Sequence, residues 1–353
     1  MTRLERTGRY DRRVIGILLA ALLWGTTGTA ASLLPASVSP LATGAATMCV
    51  GGLLLALTAP KQAAAVFRGG GASWRWIVPG ALAVVAYPLA FYSSMSLAGV
   101  AVGNVVSLGT APLFAALLER LLDPAARRRR LDRRWAASAG AAVAGVALLA
   151  AFGHGGSTDA GSPGSVEASA AATSATSGPG STFLAGVALG LLAGLAYATY
   201  TYTAGRLLDL GHSSRGSMAA QFGVGAVVLL PVLLLTGAPI VQTGSSVGVH
   251  LYLALGPMFV AYLLFGAGLR TVSSSRATTV TLLEPVVATL LAVLVVGERL
   301  ALPGWLGLAL VLVGVAAVVT SRPTPPRPTM PTPPTTPPPP EPGAPRRSVG
   351  SDA

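Results

Sequence analysis

Residues 281–300 read TLLEPVVATLLAVLVVGERL. Apart from Glu284 and two threonines the run is apolar up to Gly297, where Gly-Glu-Arg marks an end. A segment of this kind partitions into lipid, and a carboxylate inside it is costly enough to suggest a function by default. Nine more apolar stretches accompany it, so that ten candidate spans fall at 14–34, 38–58, 75–97, 100–122, 135–152, 182–204, 215–236, 249–269, 274–296 and 301–320. A helix needs about 20 such residues to cross a bilayer core. The runs are too long and too continuously apolar for barrel strands, so the sequence predicts an all-α membrane protein with ten transmembrane helices.

Composition agrees. Of 353 residues 52% are hydrophobic and only 10% charged, with 43 glycines, a balance outside the range of soluble domains. The net charge of +12 first suggests nucleic acid, but the placement of the cations excludes that partner. Of the 24 Lys and Arg, all but Arg299 fall before the first span, after even-numbered spans or in the tail, with a dense group at Arg127, Arg128, Arg129, Arg130, Arg133 and Arg134. By the positive-inside rule both termini are cytoplasmic and the cations set topology against lipid headgroups. The basic start and first apolar stretch resemble a signal peptide, yet the stretch is too long and another follows at once, which predicts an uncleaved first helix. Cys49 is the only cysteine, so no intramolecular disulfide or Cys-based metal site is expected.

Residues 153–181 are small and polar without Lys or Arg, a flexible extracytoplasmic linker that divides the chain into two blocks of five spans. Shifting the first block by 173 positions sets Trp24 on Tyr197, Tyr92 on Phe265 and Pro112 on Pro285, and lays SLGTAPLFAALLERL (107–121) over VTLLEPVVATLLAVL (280–294) without a gap. Five is odd, so the second block enters the membrane from the opposite side. Two inverted repeats, 14–152 and 182–320, are the signature of alternating-access transporters with a site near the midplane. They are flanked by a cytoplasmic N-terminus (1–13) and a Pro-rich tail (321–353) expected to be disordered or extended.

These residues resemble the EamA-type members of the drug/metabolite transporter superfamily. The likeness rests on Trp24-Gly25-Thr26 in the first span, Pro112-Leu113-Phe114 in the fourth, and Leu283-Glu284-Pro285 followed by Gly297-Glu298-Arg299-Leu300 in the ninth. It implies ten helices, a tapering cavity between the halves, and transport, commonly export, of small metabolites such as amino acids or of amphipathic drugs. The chain departs from the pattern twice. Glu119-Arg120-Leu121 follows Pro112 too closely to be a second Gly-Glu-Arg-Leu, and Ala45, Ala46, Thr47 and Met48 occupy a region where relatives often carry arginine.

Glu284 is the one acid deep within a span, and two roles fit it: holding a substrate ammonium or a coupling proton, or bonding groups freed by a helix break at Pro285. Pro112 is the corresponding break in the first repeat. Aromatic and polar side chains at mid-depth, Trp24, Thr26, Tyr92, Asn104, Tyr197, Tyr200, Gln221 and Phe265, together with Thr27, Tyr87, Tyr262 and Thr278, are expected to face the interior as cargo contacts or as glue between helices. An aromatic wall suits amphipathic or cationic cargo.

His154, His212 and His250 form no ligand spacing, and no nucleotide loop or nucleophile-base pair is present. The reading is a secondary transporter in the cytoplasmic (inner) membrane, not an enzyme, with no cofactor or metal, working as a monomer or homodimer. Its cargo is a small amino-acid-like or amphipathic metabolite, exported, with the proton as the candidate coupling ion. The alternatives are multidrug efflux, flipping of a lipid-linked cargo, or a membrane scaffold acting through the Pro-rich tail.

Overall fold

The computed structural model describes residues 15–123, 137, 140, 141, 143–148, 179–268 and 283–320. The N-terminal segment, the Arg127–Arg134 group, nearly all of the linker, the tail, Thr278, Thr281 and half of the fifth span lie outside the described residues. All regular structure among the described residues is helical. Seven helices are long and apolar enough to cross a membrane: α1 (Ile15–Ser32), α2 (Pro40–Leu57), α3 (Gly70–Ala98), α4 (Val100–Leu122), α5 (Pro179–Asp209), α6 (Ser214–Thr236) and α7 (Gly244–Phe265). Two further apolar helices follow, α8 (Leu283–Val296) and α9 (Leu302–Thr320), the apolar stretch of the latter being Leu302–Gly314, and residues 143–148 form another helical piece.

Local chemistry sets several boundaries. Ser39 caps α2 by accepting from Ala42 N at 3.1 Å, and Pro40 occupies a first position where its missing donor is not needed. Ser213 and Thr243 cap α6 and α7, accepting from Gly216 N at 3.1 Å and Ser246 N at 3.2 Å. The chain turns between α3 and α4 at Gly99, whose φ of 89° and ψ of 157° only glycine adopts readily.

Several sequence expectations need correction. α3 begins at Gly70 rather than 75, α5 ends at Asp209 rather than 204, and α7 begins at Gly244 rather than 249. These ends mix polar with apolar residues, which a search for uninterrupted apolar runs cuts away. Arg120 and Arg206, expected in the gaps between spans, lie in the last turns of α4 and α5, where a cation complements the helix dipole. Pro112 does not break α4, which is continuous around it.

α5 packs along α3 and α4. A β-carbon at Gly186 would lie 2.7 Å from Ala98 N, at Gly190 2.9 Å from Ser94 Oγ and at Gly194 2.8 Å from Ser107 O, so the i, i+4 spacing of three glycines fixes this close contact. A core of Met48, Val84, Tyr200, Phe222, Leu229 and Met258 joins α2, α3, α5, α6 and α7. α4 also touches α8 and α9.

The α2–α3 contact gives a stability prediction. A β-carbon at Gly44 would meet backbone, Pro88 O at 2.8 Å and Pro88 C at 2.9 Å, and backbone cannot rotate away. Gly44→Ala is expected to cost about 1–3 kcal/mol and lower the detergent-solubilised melting temperature by several degrees. Gly248→Ala, where nothing lies within 4 Å of the new carbon, is the control expected to melt with the parent.

Candidate functional site

A cavity opens inside the bundle. α1 contributes Trp24 and Thr27, α2 contributes Thr47 and Met48, and α3 contributes Tyr87, Pro88, Phe91 and Tyr92. Leu108 comes from α4, Tyr197 from α5, Pro257, Met258 and Tyr262 from α7, and Glu284 from α8. Helices on both sides of the linker therefore build it, and Glu284 supplies the one carboxyl group among the described lining residues.

The walls are held by ring packing. Trp24 sits 5.3 Å from Tyr262 and 5.3 Å from Phe265, centroid to centroid. Tyr87 lies 5.4 Å from Phe91 and 5.7 Å from Tyr197. Tyr87 and Phe91 are stacked at 19°, while the other three pairs are tilted or edge-on, arrangements that match the ring quadrupoles. Wide π-type turns at Met48–Gly52 in α2 and Ala254–Val260 in α7 pack on each other, and both carry cavity residues. Trp24 Nε1 donates to Pro257 O in the second of these turns, at 2.9 Å, fixing α1 to α7.

The motif in the first span divides its labour. Trp24 faces the cavity, and Gly25 lets α1 lie on α8, since a β-carbon there would come 3.1 Å from Glu284 O. Thr26 does not line the cavity; its hydroxyl donates to Leu23 O at 2.7 Å and lies 2.6 Å from Tyr252 Oη. Glu284 and Pro285 fall in the first turn of α8 as described, with Thr289 Oγ1 donating to Pro285 O at 2.8 Å.

Of the other candidates, Tyr92 and Tyr197 line the cavity. Phe265 stands behind Trp24, and Tyr200 stands behind the wall, 5.1 Å from Tyr197 by ring centroid with its hydroxyl 3.4 Å from Tyr262 Oη. Gln221 is fully buried on α6; its amide accepts from Thr203 Oγ1 at 2.9 Å and donates to Tyr200 O at 3.2 Å, tying α6 to α5. Asn104 is fully buried in α4 and does not reach the cavity. Pro112 also lies away from it, four residues after Leu108.

The lining residues that the sequence reading did not single out are Pro88, Phe91, Leu108, Pro257 and Met258, with Thr47 and Met48 noted only for lacking an arginine. One signal was present. AYPLAFY (86–92) and LGPMFVAY (255–262) both place a proline amid aromatics inside an apolar span, a pattern that points to interrupted helices around a site. Among the described residues no group of His, Cys, Asp or Glu is arranged to hold a metal ion.

A family model described as the EamA-like transporter family matches residues 12–151 and, a second time, residues 184–320. The chain belongs to the EamA-like transporter family. It is a multi-pass membrane transporter rather than an enzyme. An uncharacterized transporter of Bacillus subtilis (strain 168), YwfM, is 31% identical over 311 residues, covering 87% of this chain and 93% of that protein. An uncharacterized transporter of Clostridium kluyveri is 28% identical over 137 residues, covering 38% of this chain and 44% of its own length. A third, from Archaeoglobus fulgidus, is 31% identical over 133 residues, 37% of this chain and 46% of that one. A solved crystal structure with 22% identity superposes with a TM-score of 0.55 over 88% of this chain and 96% of the other. At that identity the likeness speaks for the fold alone. Within the EamA-like frame, both matched segments contribute walls to the one cavity around Glu284.

Proposed function

We propose that this EamA-like protein is a secondary carrier that exports a small amphipathic metabolite bearing an amine, by alternating access between two inverted five-helix repeats. The observation that carries the reading is Glu284: a lone carboxylate facing an aromatic cavity to which helices of both halves contribute. A carboxylate and ring faces together recognise an ammonium group attached to an apolar body. The double match to one family model, the register at a shift of 173 and the odd number of spans per block support the inverted repeat. The cation distribution supports placement in the cytoplasmic membrane with both termini inside. Drug efflux is the second reading, favoured by the broad apolar wall of Phe91, Leu108 and Met258, which selects size and shape loosely.

The test is an untargeted comparison of metabolites in the medium of cells producing the parent and cells producing Glu284→Ala, with tolerance to amphipathic cations scored alongside. The expected result is several-fold accumulation of amine-bearing apolar compounds outside the parent cells only. Accumulation confined to anionic compounds, or identical media, overturns the reading.

A further inference from the structure

Helix α4 is bound at both ends by groups from the other side of the linker. At its N-terminus Gly99 offers no side-chain cap, and the free amides of Val100 and Ala101 donate instead to the two oxygens of Glu298, the second at 3.0 Å. Glu298 is aimed there by Gly297, which ends α8 in a left-handed conformation with φ 80°. A carboxylate on two first-turn amides meets the positive end of the helix dipole. At the C-terminus of α4, Asp123 accepts from Tyr202 Oη at 2.7 Å and pairs with Arg206 Nη2 at 3.3 Å. Arg206 in turn lies over the Tyr202 ring, 5.1 Å from its centroid, and pairs with Asp209 at 3.3 Å.

The two clasps are thus separated by the length of α4, about 34 Å at 1.5 Å per residue. Between them α4 passes the cavity at Leu108. Asp123, Val100 and Ala101 are buried, and Arg206, which keeps 19% of its side chain exposed, gives water a route to the second clasp.

Resting on the alternating-access reading above, we propose that these are the gate residues of the carrier. Glu298 closes one mouth of the cavity, the Asp123–Arg206–Tyr202 cluster closes the other, and the cycle releases them one at a time. Both sets of contacts are made in this structure, and releasing either one would free the corresponding end of α4 from the opposite half. By the cation distribution the Asp123 end is cytoplasmic.

The test reads cavity access from each face. A single cysteine is placed by Leu108→Cys in a Cys49→Ser background, and a membrane-impermeant thiol reagent is applied to one face of oriented vesicles. Glu298→Gln is expected to raise the labelling rate at least threefold from the Glu298 face and lower it from the other, and Asp123→Asn to do the reverse. Size-exclusion profiles report folding. Should Asp123→Asn aggregate, Tyr202→Phe removes only the hydroxyl and is expected to shift labelling the same way by a smaller factor. Labelling of the parent from both faces, with no variant changing the ratio between faces, overturns the gates while leaving alternating access intact. Labelling of the parent and every variant from one face alone overturns alternating access and the gates with it.

Discussion

Glu284→Gln is expected to lower kcat/KM for an amine-bearing cargo in proteoliposomes at least tenfold while the protein remains monodisperse and melts within a few degrees of the parent. The substitution keeps the shape of the side chain, removes its ability to carry a negative charge and turns one acceptor oxygen into a donor NH2. A hydrogen bond to a charged group contributes about 1.5–3 kcal/mol against about 1 for a neutral one, which corresponds to a loss of roughly twofold to thirtyfold from the bond alone. The cavity adds to this because Glu284 carries the one carboxyl group among its described lining residues, so nothing else there replaces it as counter-ion. Tyr197→Phe, which leaves a ring face in place, is expected to cost less than fivefold. If Glu284 also carries the coupling proton, an imposed pH gradient that drives cargo uphill in the parent drives none in the glutamine variant. Undiminished transport by Glu284→Gln would leave the carboxylate with a purely structural part beside Pro285 and remove the basis for an amine-bearing cargo.

The spans were legible because lipid imposes a length and a composition on each of them, and Val100–Leu122 emerges at the very residues that hydropathy marks. The ends of α3, α5 and α7 were not, because polar residues in a last turn look like loop when read one by one. Depth in the membrane was also readable, which is why Glu284, Trp24, Tyr92 and Tyr197 were found. The face of a helix was not. In spans apolar all round, hydropathy does not distinguish a side chain turned to the cavity from one turned to a neighbouring helix, and Gln221, Asn104 and Thr26 were drawn into the candidate site by depth alone. Glu298 illustrates the same limit from the other direction. Gly-Glu-Arg-Leu identifies the family by sequence, yet its carboxylate has a visible task only once Gly99 and Val100, some 200 residues earlier, are brought beside it.

Arg206→Ala is expected to have the largest effect on stability, about 3–5 kcal/mol, seen as loss of monodisperse protein or a melting temperature lowered by ten degrees or more. The change strips the guanidinium from Asp123, whose side chain is only 8% exposed, and from the Tyr202 ring together. Arg206→Lys keeps the charge but not the planar stacking on Tyr202, and is expected to recover part of the loss. The double variant Asp123→Leu with Arg206→Met separates stability from gating. Replacing both members of a buried ion pair by apolar groups of similar size is often neutral, because the desolvation of both charges disappears along with their attraction. The double variant is therefore expected to fold close to the parent while losing the difference in polarity that allows water to part the two ends. If it is stable and transports at the parental rate, the cluster is a structural clasp without a part in the cycle. If it is stable and slow, with the cavity cysteine poorly labelled from the Asp123 face, the ion pair is present because it can be broken by hydration, a property that an apolar contact of equal strength lacks.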